Sequence, residues 1–136
     1  MSGAPGVPAD AGEFAPGLER ILRRMRSPSD AMIAVGPGWY RLLVELDARL
    51  ESLDPGYRII RPVDERYGVV SYEVESVIGI TGTLDDVVTA FELKSATVCE
   101  RCGGPGQLLS HGHGGWLKTI CPDCARGTGY RPEPAR

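Results

Sequence analysis

Four cysteines, Cys99, Cys102, Cys121 and Cys124, are the only ones in the 136-residue chain, and they fall as two Cys-x-x-Cys pairs with eighteen residues between them. A Cys-x-x-Cys turn aims two sulfurs at one point while its backbone amides face the thiolates, and two such knuckles complete a tetrahedron. Gly103 and Gly104 let the first knuckle turn, and Pro122 stiffens the second. The pattern predicts a structural Zn2+ site with these four ligands; a thiol redox pair, an iron–sulfur cluster and disulfides are the alternatives. Four protein ligands leave no coordination position for water or substrate, which speaks against metal catalysis. The expected job of the metal is to fold a segment whose apolar residues, Leu108, Leu109, Trp116, Leu117 and Ile120, are too few to order it alone. Without metal this module is expected to unfold.

Other chemistry is sparser. His111 and His113 lie in SHGHGG between the knuckles. They could recruit a second metal or exchange with a cysteine, but holding them in a glycine-rich loop costs much entropy, and exposed histidines are the simpler reading. Trp116 and Lys118 are two residues apart, so a strand places them on one face and offers a ring beside a cation. Packing of Trp116 on the knuckles is the competing expectation for the ring. Ser110, His111 and Asp123 supply the residue types of a hydrolase triad without its spacing, and no nucleophile elbow, phosphate loop or HExxH occurs. A reactive Cys-x-x-Cys thiolate sits at a helix N-terminus, whereas Cys99 follows a helix. No catalytic residue is predicted, and the chain is expected not to be an enzyme.

The elements that must position these residues fit one domain with a small appendage, a size that excludes a large multi-step enzyme. Hydrophobic residues make up 42% and charged residues 24%, enough apolar surface for a core. There is no transmembrane run and no signal-peptide pattern, so a cytoplasmic protein without membrane contact is expected. Net charge is -3, with three Lys/Arg against seven Asp/Glu in residues 61–95 and five against three in residues 96–136. Four thiolates on one zinc add about two negative charges and cancel that local excess, so no region is a phosphate-binding surface by charge alone.

Residues 1–17, rich in Gly, Ala and Pro, read as a disordered tail. Leu18, Ile21, Leu22 and Met25 then form one stripe of an amphipathic helix flanked by Arg20, Arg23, Arg24 and Arg26, either a basic face for nucleic acid or an acidic partner, or a solvated face beside a docking stripe. After the break at Gly36, Pro37 and Gly38, the residues Trp39, Leu42, Leu43, Leu46, Leu50 and Leu53 mark the strongest helix, stopped by Asp54, Pro55 and Gly56. YRIIRPV and YGVVSYEVE, separated by Asp64, Glu65 and Arg66, predict an antiparallel hairpin with a bulge near Gly68. Thr83 is the expected cap of a last helix carrying Leu84, Val87, Val88 and Phe91. The fold class is α+β: helices on a small antiparallel sheet over residues 18–98, a four-cysteine zinc ribbon over 99–125, and a flexible tail over 126–136.

Together, GWYRLLVELDARL, VDERYGVVSYEVE, ATVCERCGGPGQ and GGWLKTICPDCA resemble a group of small, largely uncharacterised phage and bacterial zinc-ribbon proteins. That group carries a Gly-Trp helix start, a VKEKFGxLRFY strand motif, and CExCGxPG followed by WxKTLCxxC or WxKTLCxxH. The match runs over residues 38–125. It includes Cys99, Glu100, Cys102, Gly103, Pro105, Gly106, Trp116, Lys118, Thr119, Cys121 and Cys124 in the ribbon, and Val63, Glu65, Tyr67 and Gly68 in the hairpin. Asp64 stands where lysine is usual, and Val70, Ser71 and Tyr72 where LRF is usual. The resemblance implies a zinc-stabilised α+β domain and carries no activity with it.

Two functions follow as expectations. One is a module that binds another protein, as an inhibitor, an immunity factor or a subunit of a phage-related or defence complex. The other is a nucleic-acid-binding or transcription-associated ribbon with Arg101, Trp116, Lys118, Arg126 and Arg131 as contacts, against which stand the acidic net charge and the missing hairpin lysine.

Overall fold

Apolar spacing decides which side of each helix is buried, and the breakers decide where the helix stops. The computed structural model describes residues 6–112 and 115–132. Helix α1, Ala15–Arg23, buries Leu18, Ile21 and Leu22, with Met25 closing the stripe just beyond its end. Helix α2, Tyr40–Leu53, follows the Gly36–Pro37–Gly38 turn and buries Leu42, Leu43, Leu46 and Leu50. Helix α3, Thr81–Ser95, turns Leu84 and Val88 inward, with Val87 and Phe91 at the margin of the core. It begins at Thr81 rather than being capped by Thr83: the Thr81 hydroxyl accepts from the Ser76 amide at 3.0 Å, and Thr83 is exposed. Among the described residues no helix is long and apolar enough to cross a membrane.

Short strands lie between the helices. β1, Ile33–Ala34, pairs in parallel with β3, Val63–Arg66, which pairs antiparallel with β4, Val69–Ser71. β2, Arg58–Ile59, pairs antiparallel with β5, Val74–Glu75. The hairpin is therefore present, but its turn is not at Asp64, Glu65 and Arg66; these are strand residues opposite Ser71, Val70 and Val69. The chain reverses at Tyr67 and Gly68, with φ of 55° and 84°, because a two-residue turn that matches strand twist needs two left-handed residues. Gly68 adopts this freely, and its amide donates to Glu65 Oε2 at 2.7 Å.

The helices and these strands share one core around Trp39, Leu43, Leu46, Tyr57, Ile59 and Leu84. Each such side chain contributes about 1.5–3 kcal/mol by leaving water. The N-terminal segment is part of this core, which corrects the expected disorder over 1–17 for residues 6–17. Val7 packs against it, Ala11 is buried, and Asp10 Oδ1 accepts from Tyr40 Oη at 2.6 Å. Composition misled because small residues here serve close approach: a Cβ on Gly17 would lie 2.6 Å from Val44 Cγ2. Residues 1–5 lie outside the described residues.

One arginine of the basic stripe is half-buried and held by the core. Arg24 Nε donates to Asp47 Oδ1 at 2.7 Å, Nη1 donates to the Pro55 carbonyl at 3.0 Å, and Nη2 pairs with Glu51. Its guanidinium stacks 4.2 Å above the Tyr57 ring, while Tyr57 Oη donates to the same Asp47 oxygen at 2.5 Å and meets Tyr72 Oη at 2.6 Å. Burial works against the Arg24 charge, but Asp47, Tyr57 and Glu51 outweigh it and hold the group above its ordinary value. The donors of Arg24, expected to face a partner, are thus engaged by Asp47, Pro55 and Glu51 of the same chain.

Candidate metal centre

The second, smaller cluster of buried residues belongs to the C-terminal module. β6, Gln107–His111, lies between β7, Leu117–Ile120, and β8, Tyr130–Arg131, and helix α4, Pro122–Ala125, carries the second knuckle. Of the five apolar residues expected to support the module, only Leu109 and Ile120 are buried; Leu108 and Trp116 are exposed. The C-terminal stretch is not a free tail from 126: Arg131 pairs with Ser110 and Tyr130 with His111 in the β6–β8 ladder, while residues 133–136 lie outside the described residues.

The loop ends bring the four cysteines together. Their Sγ atoms all lie within 4.8 Å of one another, and Cys102 and Cys121 are 3.8 Å apart. Tetrahedral Zn–S bonds of about 2.3 Å place sulfurs about 3.8 Å apart, so the set fits a tetrahedral thiolate-bound ion. Backbone amides point at the sulfurs: Cys102 N to Cys99 Sγ at 3.5 Å, Cys124 N to Cys121 Sγ at 3.4 Å, and Gly104 N to Cys102 Sγ at 3.4 Å. Burial acts to raise the Cys99 thiol, but the amides of Cys102, Cys121 and Arg101 outweigh it and bring it down to about 6. Cys124 is pushed up to about 12, first by its neighbour Cys121 and then by burial. At Cys102 the Gly104 amide favours the thiolate, yet Cys99 and Cys121 leave its value raised. Four sulfurs this close cannot all be charged unless a cation joins them.

The module is fastened to the α+β core by hydrogen bonds at two points. At the first, Gly38 N donates to the Glu100 carbonyl at 2.7 Å, Gly36 N donates to Glu100 Oε2 at 2.9 Å, and Trp39 Nε1 donates to the Val98 carbonyl at 2.8 Å. A Cβ on Gly38 would lie 2.5 Å from the Gly103 nitrogen and closer still to the Cys99 carbonyl oxygen. At the second, Thr119 Oγ1 donates to the Gly68 carbonyl at 2.6 Å. Sequence reasoning read Gly36–Gly38 as a helix breaker and named Glu100 only as part of the ribbon motif, without a role for this buried carboxylate between the first two cysteines. The available signal was a carboxylate inside a knuckle, a position that gains little from solvent exposure alone.

The predicted contact residues are scattered. Trp116 is 82% exposed, so its ring does not pack on the knuckles. Lys118 Nζ lies 3.4 Å from Glu100 Oε1 and 3.9 Å from Glu65 Oε1. Arg101, on the first knuckle, reaches the Cys124 carbonyl at 3.4 Å. Arg20 and Arg23 are exposed on α1, where Arg23 pairs with Glu19 at 2.5 Å. His111 stands edge-on to Tyr130, with ring centroids 5.3 Å apart, and is not in the cysteine cluster; His113 lies outside the described residues. Ser110 is buried, and Asp123 pairs with Arg126 at 3.0 Å. The chain matches no protein-family model, no curated protein and no solved structure.

Proposed function

We propose that the chain is a non-enzymatic zinc-binding module that docks another protein through the ribbon surface around Trp116, serving as an inhibitor, an immunity factor or a subunit of a phage-related or defence complex. The observation that supports a protein partner over a nucleic acid is the pairing of an exposed indole with a neutralised cation. Trp116 is 82% exposed, while Lys118 two residues on is flanked by Glu100 and Glu65. A nucleic-acid reader needs free cations beside its stacking rings, because phosphate contacts carry most of the affinity. An exposed indole without that charge is instead the kind of anchor that dominates protein interfaces. Zinc is favoured by the all-sulfur set, the tetrahedral spacing and the absence of an open ligand position.

The test is recovery of the tagged full chain from its own host at moderate salt, with and without nuclease, together with metal analysis. One zinc per chain and a nuclease-resistant protein partner that is lost in Trp116→Ala support the reading. Iron in place of zinc removes the metal assignment, and nuclease-sensitive recovery of nucleic acid removes the protein-partner assignment.

A further inference from the structure

We infer that the cleft at the C-terminal end of α1 is a binding site for a tetrahedral oxyanion, either a free phosphate ion or a phosphomonoester. Two extended segments build it. Met25 and Ile59 form a parallel bridge, and Ile59 N donates to the Arg24 carbonyl at 2.9 Å. Both bridge residues face the core, at 8% and 0% exposure, so the alternation of extended backbone turns their neighbours Arg26 and Arg58 to the other side, while Arg24, whose backbone is still helical at the end of α1, reaches the cleft from the helix. With Arg23 from the end of α1, these four arginines line a cleft of about 370 Å³ floored by Gly56 and Tyr57. Among the described residues no carboxylate lines it.

The four guanidinium groups are held very differently. Arg24 is tied to Asp47, Glu51 and the Pro55 carbonyl and forms a fixed wall. Arg23 makes only an exposed pair with Glu19 one helical turn away. Arg26 reaches Glu75 at a loose 3.7 Å, both groups well exposed. Glu75 is also the ladder partner of Arg58, yet it leans to Arg26, and Arg58 has no ion pair among the described residues. Exposed pairs of this kind are weak and exchange readily with solvent, so an ion of higher charge can take over Arg23, Arg26 and Arg58. Their planar forks match the oxygens of a phosphate two at a time.

The surroundings argue for one discrete group rather than a polyanion. Glu19, Glu51 and Glu75 rim the cleft through the very pairs that orient its arginines, and they would repel a backbone running past it. The site is also separate from the ribbon surface around Trp116 and does not depend on its role.

Inorganic phosphate, added at constant ionic strength to the zinc-loaded full chain, tests the site through backbone amide shifts and calorimetry. Saturable shifts confined to Arg23, Arg26, Gly56 and Arg58, absent with chloride, are expected. Arg26→Gln combined with Arg58→Gln should weaken binding at least about tenfold, and Arg58→Gln alone should weaken it measurably. Arg41→Gln, at an exposed arginine beside Phe14, should leave binding unchanged, and so should the unfolding midpoint in all three variants. Tighter binding of O-phosphoserine than of phosphate would assign the phosphomonoester, and equal binding the free ion. Shifts that fail to saturate beyond the chloride control, that centre elsewhere, or that weaken equally in Arg41→Gln would overturn the site.

Discussion

The amide of Gly38 donates to the carbonyl of Glu100 at 2.7 Å, which joins the turn that starts α2 to the residue between the first two cysteines. Only a glycine permits this approach, since a Cβ would collide with the backbone of Cys99 and Gly103. Gly38→Ala is therefore expected to cost about 1–3 kcal/mol and to weaken metal retention, because the knuckle must back away from its support. Urea unfolding of the zinc form, with release of zinc to a colorimetric chelator, reads both effects.

Metal removal should unfold the ribbon and spare the core. The buried cluster of the ribbon is separate from that of the helices and, among the described residues, consists of Cys99, Leu109, Ile120 and Ala125. On chelation the amides of Leu109, Thr119 and Ile120 should collapse to coil positions, while those of Leu43, Leu46 and Leu84 keep their dispersion. Since Cys102 and Cys124 lie above the ordinary thiol value, metal binding at neutral pH should release protons and strengthen as pH rises. Titration in two buffers of different ionisation heat measures the protons.

Asp54 gives the α+β core an acid-sensitive contact. Burial raises its carboxyl, but the Ser76 hydroxyl, the amides of Val77 and Gly56, and Arg24 outweigh this and hold it below the usual carboxylate range. A group depressed in the folded state adds stability above its unfolded value, and that stability is lost as pH falls through the folded value. Asp54→Asn should therefore narrow its gap to the parent protein as pH drops from 6 to 3. A constant gap in urea midpoint across that range would remove the assignment.

The two tryptophans should part company. Trp39 is fully buried and donates to Val98, so Trp39→Ala is expected to cost about 3–5 kcal/mol. Trp116 is exposed, so Trp116→Ala should change stability by less than about 0.5 kcal/mol while costing a partner about 2 kcal/mol or more. Thermal unfolding beside affinity measurement on the recovered partner separates the two effects.

Much of the architecture was legible residue by residue. The leucine spacing of α2 and the stripe of α1 place the right faces inward, because helical period and burial are local properties of the chain. The α+β class follows from the order of those elements. The hairpin turn was misread because Asp64, Glu65 and Arg66 look like loop residues, whereas the deciding feature was the left-handed pair Tyr67–Gly68. Packing of Trp116 on the knuckles was the leading expectation for its ring and proved wrong, since an indole beside two glycines carries no local signal of what covers it.

The sequence by itself determined the periodic faces of the helices, the cysteine spacing and the α+β order, because each rests on neighbours a few residues apart. Only the tertiary structure decided what the charged and small residues are for. Arg24 lies 23 positions from Asp47, and Gly36 lies 64 positions from Glu100; a guanidinium turns inward, and a glycine becomes a docking point, only when folding brings that distant partner into reach.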